Sequence, residues 1–166
     1  MRTLLILGAG KEQVAAIAAA KAKGIRTLVL DMNPKADGAG VADEFHAVST
    51  RDRDAILKFI AGYPGKIDGV MTIASDIPHM VSAAAEAAGA RHIPQSVADL
   101  CVHKLHMKEK LREGGVNIPA FACITQLKDL EAFIAKAGFP VETTGFKRVA
   151  SARALYHWHA DAGQEY

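Results

Sequence analysis

Residues 4–13 read Leu4-Leu5-Ile6-Leu7-Gly8-Ala9-Gly10-Lys11-Glu12-Gln13, and the change of texture inside that stretch decides the fold class. Four apolar residues in succession predict a short strand covered on both faces, as central parallel strands are. Two glycines allow a tight turn, and the alanine-rich run Glu12 to Lys23 predicts a helix. A strand that enters a helix through glycines leaves backbone N–H groups unpaired at the positive end of the helix dipole. Such a turn suits a phosphate or a carboxylate. The dinucleotide-binding pattern G-x-G-x-x-G wants a third small residue, and Gln13 stands in that place. The turn therefore reads either as an anion seat or as a structural turn in a parallel sheet.

Working outward, Gly24 stops the first helix, and Ile25 to Leu30 predicts a second apolar strand ending at Asp31. Asp31 lies about twenty residues past the glycines, where a carboxylate either accepts from a ribose hydroxyl or is satisfied by loop N–H groups. Asn33-Pro34 and Asp37-Gly38 mark a loop. Phe45 to Val48 predicts a third strand. Thr50 or Asp52 caps a helix with Ile56, Phe59 and Ile60 on one face, stopped by Gly62 and Pro64. Asp68 to Ile73 predicts a fourth strand, followed by Ser75 and Asp76 and then a helix with Pro78 in its first turn and Gly89 as its stop. Ligands of open parallel sheets bind beyond the carboxyl ends of the strands, so Ser75 and Asp76 are expected on the rim that holds Gly8 and Gly10. Capping of the helix by Asp76 is the alternative. His92-Ile93-Pro94 is expected to be a short extended piece closing the sheet. The order predicts an α/β, Rossmann-like, doubly wound parallel sheet to about residue 95.

A second, α+β unit is expected from there. Leu105, Lys108 and Leu111 share a helical stripe that Gly114-Gly115 ends, and Phe121 to Ile124 predicts a short strand. Thr125 caps a helix whose apolar face is Leu127, Leu130, Phe133, Ile134 and Ala137, and Phe139-Pro140-Val141 predicts the start of another strand. The charged run Lys108 to Glu113 reads as a solvated helix face. His103 and His106, three apart, lack visible further metal ligands, as do His157 and His159 on either side of Trp158.

The bulk properties narrow the function classes. A formal charge of +2 over 166 residues gives no case for nucleic acid or an anionic membrane. No apolar run approaches the roughly 20 residues of a membrane span, and the first residues lack the layout of a signal peptide. Cys101 and Cys123 read as buried thiols rather than a bridge. A cytoplasmic location is expected.

With these pieces placed, the sequence resembles the front end of an ATP-grasp ligase, of the biotin carboxylase and carbamoyl-phosphate synthase kind. The resemblance is carried by Leu4 to Gly10, Asp31-Met32-Asn33-Pro34, Val41-Ala42-Asp43-Glu44 and the strand ending at Ser75-Asp76. It continues through Ser96-Val97-Ala98-Asp99, His103-Lys104, Met107, Leu111, Gly114 to Pro119 and Ala137-Gly138-Phe139-Pro140-Val141. It implies a Rossmann-like preATP-grasp substrate domain over residues 1–95 and the beginning of an ATP-grasp nucleotide domain over 96–166. Lys104 matches the first of two lysines that contact ATP phosphates in such enzymes. Gly8, Gly10, Asp31, Ser75 and Asp76 fall to the pocket for the substrate, a small carboxylate or phosphate-bearing metabolite. The implied cofactors are ATP and Mg²⁺. The implied chemistry is phosphoryl transfer to a carboxylate, giving an acyl phosphate that an amine attacks.

The resemblance stops at Val141. Glu142 to Ala150 carries no apolar strand with a second lysine, no glycine-rich loop and no Mg²⁺-binding carboxylates, and the tail from residue 142 sets Arg148, Arg153, His157, Trp158 and His159 among alanines. The expectation is a truncated or frame-altered ligase that does not catalyse alone, with no catalytic residue of its own and an exposed apolar face favouring a homodimer. Two further readings remain open. One is an NAD(P)-dependent oxidoreductase domain, favoured by Gly8, Gly10 and Asp31 and disfavoured by Gln13. The other is a non-catalytic binder of a small anionic metabolite.

Overall fold

The strand that opens the chain becomes one of two central strands because its side chains are apolar on both faces. In the computed structural model, which describes residues 1–138 and 141, β1 (Thr3–Leu7) pairs in parallel with β2 (Arg26–Asp31) on one side and β4 (Gly69–Met71) on the other. β3 (Glu44–Ala47) extends the sheet beyond β2, giving the order β3-β2-β1-β4. The register sets Leu7 opposite Leu30 and Ile6 opposite Met71.

Leu5, Leu7, Leu28 and Leu30 point to one face, where Ile56 and Ile60 of α2 (Arg53–Gly62) and Ala84 of α3 (Pro78–Ala87) cover them. Ile6 and Val29 point to the other face, against Ile17 of α1 (Lys11–Ala22). Helices thus lie on both faces, the doubly wound arrangement that the unbroken apolar strands require. Fully burying a leucine or isoleucine contributes about 1.5–3 kcal/mol, so this two-sided core dominates the stability.

The turns follow from local chemistry. Asp52 accepts from the Ala55 N–H at 3.0 Å and is the N-cap of α2. α1 and α3 end alike: Gly24 and Gly89 take positive φ of 69° and 64°, which frees the next N–H to reach back to Ala20 and Ala85.

The chain forms two compact units, Met1–Met107 and Lys108–Tyr166. The first includes α4 (Gln95–Val102), a helix the sequence reading passed over, packed against α3. α5 spans Lys104–Glu113 and α6 Leu127–Ala137. In the second unit Arg112 lies 4.6 Å from the centre of the Phe121 ring, and Lys110 pairs with Glu113 at 2.7 Å.

Several expectations are corrected. His92-Ile93-Pro94 joins no strand, because its Ile93 carbonyl is taken by the Ser82 hydroxyl at 2.7 Å. A cavity of about 570 Å³ lies there instead, lined by Met71, Thr72, Ser82, Arg91, His92 and others. Phe121 to Ile124 is not a strand either, since no described segment offers it a ladder partner. The N-cap of α6 is Gln126, not Thr125. Asp129 accepts from the Thr125 hydroxyl and from the N–H groups of Thr125 and Gln126, fixing the helix start one residue later. Of the apolar face foreseen on α6, Leu130 alone is buried. Both cysteines are free, as expected, but exposed rather than buried. Phe139, Pro140 and the tail from 142, with His157 and His159, lie outside the described residues.

Candidate functional site

The glycine turn is closed by its neighbours on three sides. Gly8 has a φ of 107°, a conformation open to residues without a Cβ, and its N–H continues the β1–β2 ladder by donating to the Leu30 carbonyl at 2.8 Å. The Ala9 N–H donates to one Asp31 carboxylate oxygen at 2.8 Å, and the Asn33 N–H donates to the other at 2.8 Å. Asp31 therefore braces the turn and its own loop, the arrangement foreseen as the alternative to ribose binding. The Gly38 N–H donates to the Ala9 carbonyl at 2.7 Å, sealing the outer side. Gly10 is the N-cap of α1 and supplies no side-chain cap; its carbonyl accepts from the Gln13 N–H at 3.0 Å, and the N–H groups of Lys11 and Glu12 have no partner among the described residues.

On the other side of β1 runs the seam with β4. α1 leads from β1 to β2, whereas β4 adds to the opposite edge, so the connection reverses between these two strands. Crevices of open α/β sheets lie at that reversal. Two side chains cross it. The Thr72 hydroxyl donates to the Leu7 carbonyl at 2.7 Å, and the Gln13 amide donates to the Ile73 carbonyl. Ala74 follows with a φ of 50°, an unusual conformation for a residue with a Cβ, and such strain clusters at ligand sites.

Ser75 and Asp76 lie just past that residue and are exposed. The N-cap of α3 is Ile77, with no side-chain cap, so Asp76 does not fill the capping role held open for it. Neither side chain has a hydrogen-bond or ion-pair partner among the described residues. Lys104 is the first residue of α5 and exposed, with no ion-pair partner among the described residues. It sits between His103 and His106, whose rings stack at 3.6 Å. A free ammonium in the first turn of a helix suits a phosphate. No group of three or more His, Cys, Asp or Glu that could hold a metal occurs among the described residues.

A second polar cluster lies away from this rim, on β3. The His46 ring nitrogen lies 2.7 Å from Glu44, which also receives Arg26 at 2.7 Å and the Tyr63 hydroxyl at 3.1 Å. These contacts, His46 first, hold the Glu44 carboxyl below its usual range, while burial and then Glu44 push the Tyr63 hydroxyl up. Sequence reasoning missed this cluster, and it missed Gln13 as a structural element. Alternating Glu44 and His46 on a strand was the signal for the former.

No family model matches the sequence, and no curated protein matches it. Solved structures do. Phosphoribosylglycinamide synthetase from Anaerococcus prevotii superposes with a TM-score of 0.66 at 24% identity, over 84% of this chain and 35% of that one. N5-carboxyaminoimidazole synthetase from Staphylococcus aureus, complexed with ADP, gives 0.66 at 22% identity over 84% and 36%. The L-amino acid ligase from Bacillus licheniformis gives 0.62 at 18% identity over 98% and 42%. The fold is that of the N-terminal part of an ATP-grasp ligase. The chain spans well under half the length of those ATP-grasp structures, and the likeness extends to the Rossmann-like sheet expected from the sequence.

Proposed function

We propose that this chain is the substrate-side portion, with the beginning of the nucleotide-side portion, of an ATP-dependent carboxylate–amine ligase. The observation that carries the reading is the rim at the β1–β4 reversal. There a braced glycine turn faces a strained Ala74, followed by an exposed serine and an exposed carboxylate with no partner among the described residues. On this reading residues 1–95 form the substrate domain and residues 96–166 begin the nucleotide domain, although α4 packs against α3 within the first compact unit.

In the reaction, a carboxylate oxygen of the substrate attacks the γ-phosphorus of ATP. The bond to the β-phosphate oxygen breaks, ADP leaves, and an acyl phosphate forms. An amine then attacks the acyl carbon and expels inorganic phosphate. Such transfers depend on positioning and charge neutralisation more than on covalent chemistry by the protein. Lys104 supplies one positive charge to the ATP phosphates. The free N–H groups at the start of α1 and the Ser75 hydroxyl bind the anionic end of the metabolite, while Asp76 takes its amine or hydroxyl donors. Mg²⁺ accompanying ATP would neutralise the phosphates further.

The solved relatives named for ribonucleotide and amino acid substrates, one of them holding ADP, support a small metabolite and an adenine nucleotide as ligands. The absence of any long apolar helix among the described residues accords with a cytoplasmic setting, and exposed Val97, Val102 and Leu127 accord with a homodimer.

Thermal titration with ATP and, separately, NADH tests the reading. A ligand at 100 times its Kd adds about 2.7 kcal/mol to the stability of a protein that binds it only when folded. ATP should raise the melting temperature of the wild type, and Lys104→Ala should lose most of that rise. A rise with NADH and none with ATP would replace the ligase with the oxidoreductase reading. A rise with neither, together with binding of a small anion at the rim, would leave a non-catalytic binder.

A further inference from the structure

In a dinucleotide-binding turn the glycines lack side chains so that their backbone can approach the pyrophosphate. Here the space freed by the same glycines is already filled, by Gln13. A Cβ built on Gly8 would stand 3.4 Å from the Gln13 amide carbon, and one built on Gly10 would stand 2.9 Å from its Oε1. Gln13 is only 6% exposed. Its Nε2 must point at the Ile73 carbonyl, which can only accept, so Oε1 is left facing the turn. Among the described residues Oε1 has no donor. The glycines therefore make room for a buried amide that spans the crevice and anchors the chain just before the strained Ala74.

We propose that Gln13 determines the ligand class of the rim: it occupies the diphosphate place and confines the turn to a single carboxylate or phosphate group. Gln13 acts as both plug and latch, closing the seam beneath Ser75 and Asp76. The proposal rests on the rim being the substrate site, as above, and it refines which substrates fit there.

The test uses the full chain, its Gln13→Gly and Gln13→Ala variants, and two probes, orthophosphate and inorganic pyrophosphate. Binding is read from the Gly8, Gly10 and Lys11 amide signals by NMR titration. Orthophosphate should shift these signals in the wild type and bind both variants within about threefold of it, while pyrophosphate should bind the variants about tenfold or more tighter than the wild type. That change of ratio is not what mere loosening of the fold would cause, since loosening weakens both probes. Equal gains for both probes, or no gain for pyrophosphate in a variant with a native-like spectrum, would overturn the specificity role. Loss of the folded spectrum in both variants would overturn it too, by making Gln13 a structural necessity. Orthophosphate without effect on those amides in any of the three proteins would remove the substrate-site reading as well.

Discussion

Thr27 and Asp43 form a reciprocal clamp between β2 and the start of β3. The Thr27 N–H and hydroxyl both donate to one Asp43 oxygen at 2.9 Å, and the Asp43 N–H donates back to the Thr27 hydroxyl at 3.0 Å. Thr27 is fully buried, so Asp43→Ala orphans a buried N–H and should cost about 1–3 kcal/mol in chemical denaturation. The Thr27 N–H, then the Lys21 ammonium, lowers the Asp43 carboxyl from 3.8 to about 2. A carboxyl depressed in the folded state stabilises fully above its unfolded value and loses that share as pH falls toward the folded one. The gap between wild type and Asp43→Ala should therefore be constant above pH 4 and narrow between pH 4 and about 2. A gap unchanged over that interval would show that the charge contributes nothing. Gly38 offers a second check on the site's scaffold. A Cβ there would lie 2.7 Å from Ile17 Cδ1 and 2.9 Å from the Ala9 carbonyl, the latter backbone that cannot step aside. Gly38→Ala should cost about 1–3 kcal/mol, as overpacking does, and should shift the Ala9 and Gly10 amide signals.

At the scale of elements, α2 shows how a local signal and a tertiary one combine. Asp52 caps the helix, and Ile56 and Ile60 seat it on the sheet. Asp52→Ala should destabilise by about 1 kcal/mol, and Asp52→Asn, which keeps a side-chain acceptor, by much less. Equal losses in urea unfolding would mean that the cap bond is not what matters. This helix was legible because cap, apolar spacing and glycine stop all agree. The β1 and β2 strands were legible for a similar reason, since an unbroken apolar run has few places to go but the centre of a sheet. Phe121 to Ile124 has strand-like residues too, yet a strand exists only with a partner, which a local stretch cannot reveal. His92-Ile93-Pro94 fails likewise, its carbonyl captured by Ser82 of the preceding helix, α3. Gly8, Gly10, Ser75 and Asp76 could be placed at one rim because strand ends of a parallel sheet share a side. The path of the Gln13 side chain across the seam could not, because it depends on how close β4 comes to β1. In the sequence Gln13 was only a departure from a pattern.

Among the described residues, the buried apolar surface is concentrated in one unit. The buried hydrophobic residues run from Leu5 to Ala98, and beyond them Leu130 is the only one among the described residues. Leu127, on the face of α6 meant for packing, is 59% exposed. A short helix depends on tertiary burial more than on propensity, and among the described residues α6 buries Leu130 alone of its apolar side chains. Hydrogen exchange should resolve the contrast. The amides of Leu5, Ile6, Leu28 and Val29, on central strands with full burial, should exchange only through global unfolding, and their rates should respond steeply to added denaturant. The amides in the middle of α6 should exchange about a hundredfold faster or more, through local opening with little denaturant dependence. Binding of ATP near Lys104 would then be expected to slow exchange in α5 while leaving the β1 and β2 amides at their global limit. Equal protection of α6 and the central strands, with the same denaturant slope, would mean that the second unit possesses a core of its own.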